Sequence, residues 1–331
     1  MKRLTRLTSL LLAAGLLSAA LLLAVFVWPV PLAERKVLVR VPAGASLKVA
    51  AQSLQAGGVQ VSPWIISGVG RVAGLSTSIK AGSYEFDQGI SLWALLRKLS
   101  SGDTSQAEVL FVEGISFREM RARLNATPDL VHTTQPLSDQ AIMTRLGVAD
   151  RSSEGWFFPD TYRFDKRSED IEVLARALAA MQKQLDAVWQ GREAGLPLKS
   201  PYELLILASI VEKETGTPAD RPQIAGVFIN RLRQGMRLQT DPTVIYGLGD
   251  RFDGNLRKAD LQHDTPHNTY TRGGLPPTPI CMPGLASLQA VAHPAKTDAL
   301  YFVARGDGSS QFSATLDTHN RAVNQYQRGK P

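Results

Sequence analysis

Two glutamates separated by a lysine, Glu212, Lys213 and Glu214, close the segment PYELLILASIVEKETG at 201–216. Leu204 through Val211 is apolar on almost every face, which predicts a helix buried on all sides rather than one lying on a surface. Pro201 and Glu203 suit its start, and Gly216 and Pro218 its stop. A carboxyl group at the C-terminal end of such a helix is disfavoured in its charged form twice, by desolvation and by the negative end of the helix dipole. A carboxylic acid held protonated near neutral pH is what a general acid needs in order to protonate a leaving-group oxygen. Positions 212 and 214 lie about 200° apart around a helix, so both cannot face one cleft. Glu214 follows Ile206 and Ile210, whereas Glu212 follows Leu205 and Ala208. Periodicity leaves the choice open, and an ordinary charged helix end is the alternative for either residue.

The elements that must position such an acid lie downstream. IAGVFINRLRQGMRLQTDPTVIYGLGD (224–250) reads as a helix followed by a specific loop, and HNTYTRGGLPPTPICMPG (267–284) is rich in Gly and Pro yet dotted with amides and hydroxyls. Long polar loops with fixed Gly and Pro are costly to order and usually functional. Gln239, Asp241, Asn268, Tyr270 and Thr271 offer the donors and acceptors that N-acetyl sugars require. Upstream, EGWFFPDTYRF (154–164) is a dense aromatic cluster, either buried between elements or a wall for pyranose faces. Metal chemistry is not expected. His263 and His267 stand four apart, but Pro266 breaks any helix between them, and no HExxH occurs. No G-x-S-x-G nucleophile motif is present, and no cofactor is expected.

The chain has 331 residues, 44% hydrophobic and 20% charged, a globular composition long enough for about two domains. Its single cysteine, Cys281, excludes an intrachain disulfide and a Cys-based zinc cluster. Of the net charge of +7, Lys2, Arg3, Arg6, Arg35 and Lys36 against Glu34 place +4 in the first 36 residues. The remainder is too nearly neutral for a nucleic-acid footprint. Leu7 to Ala33 carries no charge, enough apolar length to span a bilayer, and the preceding cations predict a cytoplasmic N-terminus. A single-pass anchor at 7–30 is therefore expected, with a cleaved signal peptide as the alternative. The body beyond it would then work outside the cytoplasmic membrane, in the periplasm if the source is Gram-negative.

The expected fold is α+β. Residues 37–105 read as strand, helix, helix, strand and a closing helix, an order that resembles a small LysM-like α/β module. Residues 106–199 read as a connecting α/β region and 200–331 as the larger α+β catalytic domain.

The strings ASIVEKET, VFINRLRQGMRLQTDPTVIYG, HNTYTRGGLPPTPICMPG, HPAKTDALYFVARGDG and EGWFFPDTY closely resemble the endolytic murein transglycosylase (YceG-like) family, over nearly the whole exported chain. The resemblance implies cleavage of the β-1,4 bond between N-acetylmuramic acid and N-acetylglucosamine inside nascent glycan strands, leaving a 1,6-anhydro end and terminating elongation. It places the essential acid on Glu214 and makes Gln239, Asp241, Tyr246, Asn268 and Tyr270 candidates for the substrate groove. The implied partners are peptidoglycan strands and, from location, membrane-bound peptidoglycan synthases; the implied place is the inner membrane. Two alternatives stand beside this one: a hydrolytic muramidase with Asp241 as second carboxylate, and a non-catalytic peptidoglycan-binding tether.

Overall fold

The computed structural model describes residues 2–328, with the side chains of 2–11, 21 and 22 left aside. It opens with helix α1 (Lys2–Val27). Within the expected anchor at 7–30, the side chains of 7–11, 21 and 22 lie outside those described. Among the described residues no helix is long and apolar enough to cross a membrane.

The chain divides into two compact units, Met1–Glu108 with Arg163–Ser168, and Val109–Tyr162 with Glu169–Pro331. The first contains β1 (Lys36–Val41), α2 (Leu47–Ala56), α3 (Pro63–Val72), β2 (Gly82–Asp87) and α4 (Leu92–Ser101). The strand–helix–helix–strand order expected for 37–105 is thus present. β1 and β2 pair antiparallel, from Lys36 opposite Asp87 to Val41 opposite Gly82. The period-2 pattern of KVLVRV turns Val37, Val39 and Val41 inward, onto Leu47, Ala50, Ala51 and Leu54 of α2. Burying an aliphatic side chain of this size is worth about 1.5–3 kcal/mol, so this small sheet is held by one face alone. Ser46 and Ser91 cap α2 and α4 through bonds to the amides of Val49 and Ala94, and Gly102, at φ 76°, lets α4 end in a left-handed turn.

The chain leaves this unit within β3 (Gln106–Leu110) and returns to it through β5 (Thr161–Asp165), after α5 (Phe117–Asn125), β4 (Leu130–Val131) and α6 (Asp139–Arg145). Residues 106–199 are divided between the two units. Most of them belong to the same unit as 200–331, because their apolar faces are completed there: Phe117 stacks on Phe157, and Trp156 on Tyr202. The cluster at 154–164 is accordingly interior rather than a sugar platform, with Trp156, Phe157, Tyr162 and Phe164 all buried.

The second unit continues with β6 (Ser168–Glu169), α7 (Asp170–Gly191), α8 (Pro201–Glu214), α9 (Arg221–Arg233), α10 (Asp241–Leu248), α11 (Lys258–Gln262), α12 (Leu285–Ala292), the antiparallel hairpin β7 (Tyr301–Ala304) and β8 (Ser310–Ser313), and α13 (Leu316–Val323). α8 is the central rod. Ser200 caps it by accepting from the Glu203 amide, Pro201 opens it, and every residue from Leu204 to Val211 is buried, among α7, α9, α10 and α12. One polar group inside the rod has a clear task. The Ser209 hydroxyl donates to the Ile206 carbonyl at 2.7 Å and accepts the Ile280 amide at 3.0 Å, while the Cys281 thiol donates to the Ser209 carbonyl. These bonds hold Ile280 and Cys281 against α8.

Candidate active site

The three side chains at the end of α8 leave in three directions, as a turn of about 100° per residue requires. The Glu212 carboxylate accepts the Gly284 amide at 2.9 Å and so closes the strap that Ser209 begins. The Lys213 ammonium donates to the Gly114 carbonyl at 3.3 Å. Glu214 is half-buried and accepts a hydrogen bond from the Thr240 hydroxyl, on the wall of an open cleft of about 640 Å3. Of the two glutamates that periodicity could not separate, Glu214 opens into a cavity and Glu212 is committed to backbone.

Burial pushes the Glu214 carboxyl up to about 6, and the neighbouring Asp241 carboxylate works in the same sense. The Thr240 hydroxyl and the Arg231 guanidinium pull it back down. Arg231, on α9, is itself buried. Its guanidinium donates to the carbonyls of Leu300 and Leu238 at 2.7 and 2.6 Å and lies 5.3 Å from the ring of Tyr301. It therefore ties α9 to the loop before Thr240 and to the start of the β7 hairpin, and its positive charge favours the ionised form of Glu214.

The loop 238–240 is held with equal care. Gln239 takes a left-handed backbone, φ 48°, which is unusual for a residue with a side chain, and its amide donates to the Thr269 carbonyl at 3.2 Å. The Thr240 amide bonds the Thr269 hydroxyl at 3.1 Å, and the Thr243 hydroxyl contacts both the Thr240 carbonyl and the Thr269 hydroxyl. Such over-determined strain is characteristic of functional loops. On the same cleft, Tyr270 donates its hydroxyl to the Asp241 carboxylate at 2.5 Å, and burial raises the Tyr270 pKa.

Of the residues expected around the acid, the structure brings Gln239, Asp241 and Tyr270 to the Glu214 cleft. It does not bring Asn268 there. Asn268 is fully buried, its amide donates to the carbonyls of Leu261 and His263 at 3.1 and 2.7 Å, and its side-chain oxygen accepts the Tyr270 amide at 2.8 Å. It shapes the loop that presents Tyr270. Tyr246 lines a different cleft, where it donates to Glu154 at 3.2 Å and meets the His267 ring edge-on. His267 bonds Thr278, and burial lowers its pKa. Among the described residues no group of His, Cys, Asp and Glu could hold a metal ion.

Sequence reasoning missed Arg231, Thr240 and Glu154. Arg231 carried one usable signal: it follows Val227 and Phe228 on the inward face of an otherwise apolar helix stretch. Thr240 and Glu154 carried none, since each needs a partner far away in the chain.

Glu214 is thus a half-buried carboxyl on a cleft it shares with Gln239, Tyr270 and the Asp241 carboxylate, which accepts from the Tyr270 hydroxyl. The YceG-like family profile matches residues 39–325. An endolytic murein transglycosylase of Bacillus subtilis (strain 168) is 33% identical over 307 residues, covering 87% of this chain and 84% of the relative. One of Streptococcus pneumoniae is 28% identical over 332 residues, covering 90% of this chain and 59% of the relative. The crystal structure of a YceG-like protein from Listeria monocytogenes superposes with a TM-score of 0.56 at 30% identity, over 87% of this chain and 98% of that one.

Proposed function

The chain belongs to the YceG-like family, and from that premise we propose that Glu214 is its one acid–base catalyst. The protein is a lytic transglycosylase of peptidoglycan. Glu214, protonated, gives its proton to the β-1,4 glycosidic oxygen as the bond from C1 of N-acetylmuramate breaks. Positive charge spreads over C1 and the ring oxygen of an oxocarbenium-like centre. The 6-hydroxyl of the same sugar then bonds to C1, and its proton passes to the Glu214 carboxylate. One C–O bond breaks, one forms, the proton returns to its starting residue, and no water is consumed. An ordinary glycosidase needs a second carboxylate as nucleophile or base; here the substrate's own hydroxyl takes that part.

The observation that carries this reading is a half-buried carboxyl, raised to about 6 chiefly by burial and bonded by Thr240, on the wall of an open cleft. Gln239, Asp241 and Tyr270 hold the sugar hydroxyls and acetamido groups beside it. The test is the mass of the new ends on purified glycan strands. A 1,6-anhydro terminus is the expected product, a terminus one water heavier means a hydrolytic muramidase, and binding without cleavage means a tether.

The acid must be protonated in the free enzyme, so kcat/KM should fall about tenfold per pH unit once the pH passes about 6. Thr240→Val removes a bond that favours the charged form and should move this alkaline limb to higher pH; Asp241→Asn removes a like charge and should move it lower. Initial rates across pH 5–9 on defined strands would read both shifts, and a limb that ignores both substitutions would assign the titration to another group.

The remaining parts fit work at the outer face of a membrane. Lys2, Arg3 and Arg6 precede the apolar run, whose backbone is one helix over Lys2–Val27, as a single-pass anchor with a cytoplasmic N-terminus requires. The βααβ order of the first unit is that of a LysM-like glycan-binding module. An enzyme so tethered cuts strands as membrane-bound synthases extend them.

A further inference from the structure

The Glu214 cleft has a second wall, built from the C-terminal part of the same unit. On α13 the residues Leu316, His319, Asn320 and Val323 follow the i, i+3, i+4, i+7 spacing of one helix face, and all four line the cleft. Thr315 fixes the start of this helix by accepting the Thr318 amide at 3.2 Å. Strand β7 adds Tyr301 beside two nitrogen groups that also line the cleft. The Tyr301 ring lies 5.3 Å from the Arg231 guanidinium and stacks at 5.2 Å on the His319 imidazole.

Neither nitrogen group is used up by the fold. Arg231 is only 7% exposed, yet its Nε and Nη1 alone serve the carbonyls of Leu300 and Leu238, which leaves the two N–H donors of Nη2 beyond those bonds. The His319 Nδ1 is covered and has no partner among the described residues, so Nε2 is the nitrogen left to face the cleft. Burial, and after it the Arg231 charge, lower the His319 pKa, so near neutral pH the ring is uncharged and carries one proton. Buried N–H groups without partners are rarer than buried acceptors without them, and a positive charge nearby favours a lone pair at Nδ1; the proton belongs on Nε2. The imidazole therefore meets the cleft as a donor in a positive field, opposite in sense to the carboxyl groups of Glu214 and Asp241 on the first wall.

We propose that His319 is the residue that tells N-acetylmuramate from N-acetylglucosamine, by donating from Nε2 to the acyl oxygen of the 3-O-lactyl group. The proposal rests on the reading of Glu214 as the acid of a murein-cutting cleft. The two sugars that alternate along the strand share the ring, the acetamido group and the 6-hydroxyl, and differ only in the lactyl ether. Sugar hydroxyls donate as well as accept, whereas an acyl oxygen only accepts, and a donor beside a cation selects the latter. That oxygen belongs to an amide where the strand keeps its peptide stem and to a carboxylate where it has lost it, and both accept.

The test titrates three tetrasaccharides into the full-length protein carrying Glu214→Gln, so that binding is read without cleavage. They are murein with stems, murein without stems, and chitotetraose, which has no lactyl group. Both murein ligands should bind about tenfold more tightly than chitotetraose. Adding His319→Phe, whose ring can still stack on Tyr301, should weaken both murein ligands about tenfold and leave chitotetraose unchanged. His319→Gln, which can place an amide N–H near the position of Nε2, should restore most of the difference. A murein advantage that is missing from the parent, or that survives His319→Phe, overturns the proposal. So does an equal loss on all three ligands, which would make His319 part of the framework, and so does a loss confined to one murein form, which would make its target the peptide or a free carboxylate alone. Failure of the Glu214 reading looks different: the Glu214→Gln protein would still cut the murein tetrasaccharides during the titration, as product masses would show.

Discussion

Glu214→Gln is expected to keep the fold and reduce strand cleavage about a thousandfold, within the 10²–10⁴ that a positioned acid–base group supplies. The amide fits the same space and still accepts from the Thr240 hydroxyl that now bonds the carboxyl. It has no proton to give to the glycosidic oxygen and cannot take one from the 6-hydroxyl, so both halves of the reaction fail together. Glu212→Gln is the matched control. Its side-chain oxygen would still accept the Gly284 amide, but through a neutral bond rather than a charge-assisted one. The expected cost is about 1 kcal/mol of stability, with activity kept within about threefold. Chemical denaturation and product masses on one substrate would measure all four quantities. If the glutamine at 212 abolished cleavage and that at 214 spared it, the catalytic assignment would be on the wrong residue.

Arg231→Leu should be the most damaging change away from the acid itself. The leucine matches the apolar stem of the arginine but leaves the carbonyls of Leu238 and Leu300 without their guanidinium donors in a buried site. Each orphaned acceptor costs about 1–3 kcal/mol. A loss of about 2–6 kcal/mol in total is expected by urea unfolding. The catalytic consequence is separate. With the cation gone, Glu214 loses a charge that favours its ionised form, and the alkaline limb of kcat/KM should move upward even though the maximum falls. Arg231→Lys keeps the charge but cannot span both carbonyls, so it should recover the position of the limb and little of the stability. A purely structural role for Arg231 would lower the rate in both variants and leave the limb where it was.

The buried rod with charges at its end was legible in PYELLILASIVEKETG, because seven apolar residues and one serine in an eight-residue run leave no polar face before E-K-E. Which glutamate faces the cleft was not. A helix that is apolar on every face has no inward side to count from, and the choice is made by Gly284, seventy-two positions away. The same limit explains Asn268. An amide that can meet an acetamido group can equally meet three backbone carbonyls, and only the folded loop shows that it does the latter. The two-unit division was half visible. The βααβ pattern marked the first unit, but nothing local in 106–110 or 161–165 tells that the chain leaves and re-enters it there. Glu154 heads the aromatic run at 154–164, but its partner Tyr246 lies ninety-two positions away, so nothing local marks it.

The backbone at Gln239 costs the fold about 1–2 kcal/mol that a glycine would not. Natural proteins settle just above the stability they need, and what they hold in reserve can go to features that serve no thermodynamic end. Here the reserve has gone to a kinked residue whose amide side chain borders the acid and whose successor donates to it. The bend next to the chemistry is therefore a point where the fold gives up durability for aim, and a more heat-resistant version of this enzyme would be sought anywhere else in the chain first.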